Sequence, residues 1–138
     1  MSSELDKKHL IFVYGTLRKG GKANYFLKGA RWVGSAKIHG ALYKIDWYPG
    51  VIRAEKLTKE HPAATWVLGD VYEVGDVLLA KLDDYEGCTP QHNKPHEYQR
   101  VQTQVKTPDE NLTVQFWEYA WQVNPENHLP HGDWLSKA

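Results

Sequence analysis

The apolar positions of the chain form short runs that are typical of β-strands, and one segment shows clear helical spacing. The first run, LIFVY at 10–14, is unbroken, which predicts a central strand buried on both faces. Segments 65–74 and 98–105 alternate apolar and polar residues, as half-buried strands do. A longer segment, 31–46, is rich in β-forming residues and contains internal glycines, so we expect one long bent strand or a pair of strands.

Segment 112–123 also alternates and predicts a strand with two different faces. The first face carries Val114, Phe116 and Glu118, and the second carries Trp117, Tyr119 and Trp121. We expect the second, aromatic face to be core or cavity wall. A surface that stacks nucleic-acid bases needs basic neighbours, which this segment lacks.

The connecting segments contain turn and cap residues. WYPGV at 47–51 places Pro and Gly where the chain can reverse, which predicts a turn. Segment 22–29 is expected to form a short helix that ends at Gly29. The final segment, 124–138, has no regular pattern, and its Trp-Leu pair at 134–135 is expected to fold back onto the body of the protein.

The segment with helical spacing is DVLLAKLDDYEG at 76–87. Asp76 is a good N-cap residue and Gly87 a good residue to follow the last turn. The apolar stripe of this helix consists of Leu78, Leu79, Leu82 and Tyr85. Many strands with one substantial helix predict an α+β fold, a small and mostly antiparallel β-barrel with helices packed outside. The order of the strands cannot be read from the sequence.

Length and composition narrow the class of protein. The 138 residues suit a single domain, 1–138, with 1–8 and 136–138 as flexible ends. Seventeen basic residues balance 17 acidic ones, which disfavours nucleic acid as a partner. One cysteine, no signal-peptide pattern and no membrane-spanning apolar stretch predict a soluble, cytoplasmic protein that does not bind membranes. The oligomeric state is left open.

Glu86 occupies an unusual position on the predicted helix. It follows Leu82 by four residues and Leu79 by seven, so the period places it on the apolar stripe. The last turn of a helix favours cations, yet this turn also contains Asp83 and Asp84. Burial, the helix dipole and like charges should all raise the pKa of Glu86, as a general acid and base requires. Alternatively, the helix frays at Tyr85 and Glu86 turns into solvent; periodicity alone leaves both possibilities open.

The loop that follows the first strand, GTLRKGGK at 15–22, resembles a phosphate-binding loop but fails its pattern. Gly21 stands where the lysine is required and Lys22 where the hydroxyl residue is required. The remaining feature is a glycine-containing turn whose backbone N–H groups can hold a small anion, a carboxylate included. An ordinary strand-to-helix turn explains the same residues.

Other reactive side chains give weaker signals. Cys88 lies near His92 and His96, which is compatible with a thiol nucleophile, although a single loop cysteine is usually incidental. The i,i+4 spacing of the two histidines is interrupted by Pro95, and His128 and His131 lie in the tail. No spacing typical of a zinc site occurs, so we expect no metal.

Several short motifs, taken together and in their order along the chain, resemble the γ-glutamylcyclotransferase-like superfamily, and most closely its γ-glutamylamine cyclotransferase branch. VYGTLR and LDDYEG contain the two features discussed above. The remaining motifs are YPGV at 48–51, GDVYEV at 69–74, EYQR at 97–100, FWEYAW at 116–121 and GDWL at 132–135. The resemblance therefore covers nearly the whole chain. The segment GCTPQHNKPHE before YQR is longer than is usual in this branch, which bears on the leaving group that fits.

The resemblance implies a role for each matching residue. Glu86 matches the acid and base of the superfamily. The backbone N–H groups of the Y-G-T-L loop would hold the anionic end of the substrate, and tyrosines of later strands would line the pocket. The implied substrate-binding residues are Tyr14, Gly15, Thr16, Leu17, Tyr98 and Tyr119.

The implied reaction is attack of the α-amine of a γ-glutamyl amide on its own γ-carbonyl, which releases 5-oxoproline and a free amine or amino acid. No metal or organic cofactor is expected. The alternative is a non-catalytic relative that binds a small anionic metabolite in the same cavity. The leaving group stays open between lysine, other amino acids, a glutathione-derived group and a larger amine.

Overall fold

The computed structural model describes residues 7–136, and these form a small barrel with one α-helix on its outer face. The strands of this part of the chain are β1 (Lys8–Val13), β2 (Arg31–Lys44), β3 (Pro49–Arg53), β4 (Thr65–Gly75), β5 (Tyr98–Lys106) and β6 (Asn111–Tyr119). The helix α1 spans Asp76–Tyr85, and 3₁₀ turns span Asn24–Leu27, Ala54–Lys56 and Pro125–Asn127.

The strand order is β3-β2-β4-β1-β6-β5, and a further pairing between β2 and β5 closes the sheet. Lys37 of β2 pairs with Lys106 of β5 at this closure, so five strands form the barrel and β3 extends it at the far end of β2. β1 and β6 run parallel, whereas the other pairs are antiparallel. The predicted α+β barrel is confirmed, and segment 31–46 is one long strand with an irregularity beside Gly34.

Two apolar clusters share strand β1. One draws on every strand and fills the barrel, with Phe12, Phe116 and Val71 at its centre. The other lies between the barrel and α1, where Leu82 packs in the same cluster as Ile11. Neighbouring residues of a strand face opposite sides, so β1 contributes to both clusters, as its unbroken apolar run predicted.

The two ends of α1 are capped in different ways. The N-cap residue is Gly75, so the prediction of Asp76 at this position is wrong. Asp76 is instead the first helical residue, and its carboxylate accepts from the Lys7 backbone and contacts His9 at 2.5 Å. Gly87 has φ +74° and ends the helix as predicted, while the N–H of Cys88 bonds to the carbonyl of Asp83 at 3.1 Å.

Two predicted bounds need correction. The chain reverses at residues 45–48, and Pro49 already begins β3, because proline is tolerated at the first residue of an edge strand. β6 ends at Tyr119 and not at 123, since Tyr98 opposite it is the first residue of β5 and no partner strand continues. Trp121 therefore lies beyond the sheet and is exposed.

The ends of the chain are described in part. Residues 1–6 and 137–138 of the predicted flexible ends lie outside the described range, whereas Lys8 begins β1. In the tail, Trp134 packs against the barrel cluster, and the Leu135 side chain lies near Gly20. Within residues 7–136, no helix has the length and apolar character needed to cross a membrane.

Candidate active site

A cavity of about 200 Å³ opens at the end of the barrel where β1 gives way to its loop. Four parts of the chain meet there: this loop, the start of β3, the end of α1 and the start of β5. The cavity is lined by Phe12, Val13, Tyr14, Gly15, Thr16, Leu17, Trp47, Tyr48, Pro49, Tyr85, Glu86, Glu97, Tyr98 and Trp117. Its small size suits a metabolite better than a large ligand.

Glu86 lines this cavity, as the helical period predicted, and does not turn into open solvent. Burial, followed by the charges of Glu97 and Asp83, raises the pKa of Glu86 to about 8. Its carboxylate has no hydrogen-bond donor and no cationic partner among the side chains of residues 7–136. A carboxyl group in this state exchanges protons near neutral pH.

The last turn of α1 fixes the position of Glu86. Its N–H donates to the carbonyl of Leu82 at 2.9 Å. Asp83 is held from two sides, by the indole N–H of Trp117 at 2.9 Å and by Arg100 at 2.8 Å. We predicted that Asp83, Asp84 and Glu86 repel one another in this turn, and the structure changes which acids act on Glu86. Asp84 points away from Glu86, and its side chain is 74% exposed. Glu97, which directly precedes β5, is instead the second acid whose charge acts on Glu86.

The loop after β1 presents backbone donors at the cavity. The turn at 15–18 is closed by the N–H of Arg18, which donates to the carbonyl of Gly15 at 3.1 Å. Within the described chain, the N–H groups of Gly15, Thr16 and Leu17 have no acceptor. Gly15 is required here for space, since a Cβ atom would lie 2.7 Å from Cγ of Pro49. Unpaired N–H groups beside a cavity are the feature expected of an anion site.

Two buried tyrosines connect the walls of the cavity. The hydroxyl of Tyr14 donates to the carbonyl of Trp117 at 2.7 Å, and the hydroxyl of Tyr98 donates to the carbonyl of Pro49 at 2.5 Å. Burial is the largest cause that raises the pKa of both phenols, and the charge of Glu86 also raises both. These hydroxyl groups therefore stay protonated and hold the walls together.

Tyr119 is the one predicted substrate-binding residue that does not line the cavity. It packs edge-to-face behind Tyr98, with ring centroids 5.4 Å apart, and against the backbone of Gly50. The alternation of β6 correctly placed Tyr119 on the same side as Trp117. It could not show which of the two reaches the cavity.

Eight of the lining residues were not predicted as site residues, and three of these, Trp47, Tyr48 and Glu97, lie together. Tyr48 donates to Glu97 at 2.5 Å, and the ring of Trp47 lies edge-on to that of Tyr48 at 5.0 Å. Trp47 and Tyr48 belong to the segment interpreted as a turn, and Tyr48 also begins the YPGV motif, to which no site role was assigned. Glu97 lies directly before Tyr98 in EYQR, a motif of the resemblance in which no site role was assigned to the glutamate.

Cys88 and the neighbouring histidines do not form a catalytic pair in this structure. Burial and the charge of Asp83 raise the pKa of Cys88 to about 11, which keeps the thiol protonated. Its sulfur lies near Asp83, whereas His92 bonds to Thr89 at 2.7 Å and His96 contacts the His92 carbonyl.

Comparison with known proteins identifies the family. A family model described as gamma-glutamyl cyclotransferase, AIG2-like, matches residues 11–136. The chain belongs to this family. A putative gamma-glutamylcyclotransferase of Vibrio cholerae is 31% identical over 135 residues, which cover 95% of this chain and 99% of the relative. A gamma-glutamylaminecyclotransferase of Bos taurus is 33% identical over 131 residues, covering 89% and 73%.

Solved structures agree with the fold. The crystal structure of an AIG2-like protein from Mus musculus superposes with a TM-score of 0.72 and covers 95% of this chain and 90% of its own. The two sequences are 23% identical, so this likeness supports the barrel and its helix. The superfamily and the branch that the motifs resembled are thus confirmed.

Proposed function

We propose that this protein is a cyclotransferase for γ-glutamyl amides. The α-nitrogen of the γ-glutamyl group attacks its own γ-carbonyl carbon, and the bond from that carbon to the amide nitrogen breaks. The products are 5-oxoproline and a free amine, and water is not consumed. The observation that carries this proposal is Glu86, an unpaired carboxyl group of raised pKa in a cavity that also holds free backbone donors.

The loop after β1 is the proposed anchor for the substrate. Its N–H groups at Gly15, Thr16 and Leu17 would donate to the α-carboxylate, with Tyr14 and Tyr98 as walls. A fixed carboxylate holds the γ-glutamyl chain folded, so the amine stays near the carbonyl. Orientation of this kind contributes up to about 7–11 kcal/mol to a ring closure. A donor that the carboxylate leaves unused would stabilise the oxyanion of the tetrahedral intermediate.

Glu86 is the proposed acid and base. The substrate amine arrives as an ammonium group, and ionised Glu86 takes one proton from it so that the nitrogen can attack. Protonated Glu86 then gives this proton to the departing nitrogen as the bond from the γ-carbon to that nitrogen breaks. The ring nitrogen loses its second proton through the same carboxylate, and that proton leaves with the amine as an ammonium group. A group of pKa near 8 suits both steps, because neither of its two forms is strongly disfavoured near neutral pH.

We further propose that the substrates are γ-glutamyl amides of amines, as the names of the bovine and human relatives suggest for those proteins. The described lining supports this choice, because its charged side chains, Glu86 and Glu97, are both acidic. A leaving group that is an amino acid would bring its own carboxylate into this acidic cavity. An amine does not.

The test is release of 5-oxoproline from a panel of γ-glutamyl compounds by the wild type and by Glu86→Gln. The substitution keeps the shape of the side chain and removes its acid–base function, so we expect folding and 5-oxoproline binding to persist. The rate should fall by about 10²–10⁴-fold. Glu60→Gln, which changes an exposed carboxylate, is the matched control.

Two results would contradict the proposal. A Glu86→Gln protein that works at full rate would remove Glu86 from the mechanism. A folded wild type that binds 5-oxoproline but releases none from any compound would indicate the alternative, a protein that binds a small anionic metabolite.

A further inference from the structure

The cavity has a buried end and an open mouth. Tyr14 and Leu17 at the buried end are 7% and 4% exposed, whereas Trp47 at the mouth is 64% exposed. Tyr48 and Glu97 also line the cavity and are half-buried. A γ-glutamyl group that reaches Glu86 must occupy the buried end. Its leaving group then extends past Trp47, Tyr48 and Glu97.

Hydrogen bonds hold both the carboxylate and the backbone of Glu97. Tyr48 donates to Oε2 at 2.5 Å, and the backbone carbonyl of Glu97 accepts from Ala120 at 2.7 Å. The preceding rim, 88–97, is tied to the end of β6 by the indole of Trp121, which donates to the carbonyl of Pro95 at 3.1 Å. A carboxylate fixed in this way can recognise a partner without first being ordered.

The mouth offers this carboxylate no cation. Glu97 forms no ion pair with the basic side chains of residues 7–136, and none of the lining residues is Lys, Arg or His. The neighbouring ring of Trp47 can also attract a cation at its face. A fixed, unpaired carboxylate beside an aromatic ring suits an ammonium group and repels a carboxylate.

We infer that Glu97, Tyr48 and Trp47 form a leaving-group subsite that selects amines carrying a second, positively charged amino group. The favoured substrates would be γ-glutamyl amides of diamines or polyamines, and Glu97 would be the residue that determines this specificity. The inference rests on the proposed cyclotransferase function and deepens it. The reaction itself is unchanged, with the same bond made and the same bond broken.

The test compares three γ-glutamyl amides of equal length that end in an ammonium, a methyl or a carboxylate group. They are the amides of 1,4-diaminobutane, n-pentylamine and 5-aminopentanoate. For the wild type, kcat/KM should be roughly tenfold higher for the ammonium than for the methyl compound, and lowest for the carboxylate. In Glu97→Gln, whose amide oxygen can still accept from Tyr48, the ratio of kcat/KM for the ammonium compound to kcat/KM for the methyl compound should fall from about ten to about one. The ratio is the readout because loss of the Glu97 charge also acts on Glu86, and that effect is common to all three compounds.

Two further variants sharpen the result. Trp47→Leu keeps apolar volume at an exposed position but removes the ring, and should reduce the preference for the ammonium compound by about 2–5-fold. Glu97→Lys should favour the carboxylate compound. Glu60→Gln is the control, and melting temperatures establish that each variant is folded.

Equal rates for the three amides in the wild type would overturn the inference and leave the proposed function intact. A Glu97→Gln protein that keeps the wild-type ratio between the ammonium and methyl compounds would also overturn it, because Glu97 would then act only through Glu86 or through the γ-glutamyl group that the compounds share. If no amide is turned over, calorimetric binding of the same compounds to Glu86→Gln decides. Tightest binding of the ammonium compound supports the subsite, and equal binding refutes it.

Discussion

The indole N–H of Trp117 donates to Oδ1 of Asp83 at 2.9 Å and so joins strand β6 to the last turn of α1. Arg100 holds the other carboxylate oxygen of Asp83 at 2.8 Å. The same turn presents Glu86 to the cavity, three residues further on. Asp83 therefore has two effects on Glu86: its hydrogen bonds fix the turn, and its charge is one of the groups that raise the pKa of Glu86.

Asp83→Asn should separate these two effects. The asparagine oxygen can still accept from Trp117, but the negative charge is lost and Arg100 is left without its partner. Both changes favour ionised Glu86, so the acid limb of the kcat/KM profile should move to lower pH by about half a pH unit to one unit. Asp84→Asn is the matched control, since this exposed neighbour is not among the groups that raise the pKa of Glu86. An unchanged acid limb in Asp83→Asn would contradict the assignment.

Glu86 should make the protein less stable as the pH rises. Its pKa is about 8 in the folded protein against an ordinary 4.5, so between these values the folded state binds the proton and the unfolded state does not. Stability then falls as pH rises through this window. Glu86→Gln removes the penalty, and its free energy of unfolding should exceed that of the wild type by on the order of 5 kcal/mol at pH 9.

The measurement is denaturant unfolding of both proteins at pH 4 and pH 9. The difference between them should be small at pH 4, where Glu86 is largely protonated in both the folded and the unfolded state. A wild type that equals or exceeds Glu86→Gln in stability at pH 9 would show that Glu86 is well solvated. Glu60→Gln supplies the baseline for removal of an exposed charge.

The features that the sequence predicted correctly depend on local spacing. The inward position of Glu86 followed from the helical period, and the shared role of β1 in two clusters followed from its unbroken apolar run. Glu97 was missed because its partner Tyr48 lies 49 residues earlier, and they meet only when the turn before β3 and the start of β5 come together across the barrel. No pattern within a single segment of the sequence predicts this contact between Tyr48 and Glu97.

Tyr98 and Tyr119 show the same limit within one strand pair. They are direct partners across β5 and β6, so alternation placed both correctly in the sheet. Which ring reaches the cavity depends on β3, because the backbone of Gly50 packs against Tyr119. Strand order, and with it the neighbours of β3, could not be read from the sequence.

Gly15→Ala should weaken substrate binding by moving the loop after β1. A Cβ atom at Gly15 would lie 2.7 Å from Cγ and 2.9 Å from Cδ of Pro49, which is too close without movement. We expect the KM for γ-glutamyl amides to rise about tenfold. Folding should be retained, because one added methyl group overpacks this site only slightly. Pro49→Ala lacks both contacting atoms, so the double variant should recover much of the lost affinity. No recovery, with Pro49→Ala alone near normal, would mean that the loop is disturbed in another way.

Tyr98→Phe should lower both stability and activity, whereas Tyr119→Phe should change little. The hydroxyl of Tyr98 is the donor to the buried carbonyl of Pro49, and its loss leaves that carbonyl unsatisfied at a cost of about 1–3 kcal/mol. The start of β3 then loses its tie to β5, so kcat/KM should fall together with the melting temperature. The hydroxyl of Tyr119 has no hydrogen-bond partner within residues 7–136 and lies outside the cavity lining, which makes it the matched control. Equal losses in the two variants would show that the loss does not arise from the bond from Tyr98 to Pro49, and that this bond does not hold the cavity wall.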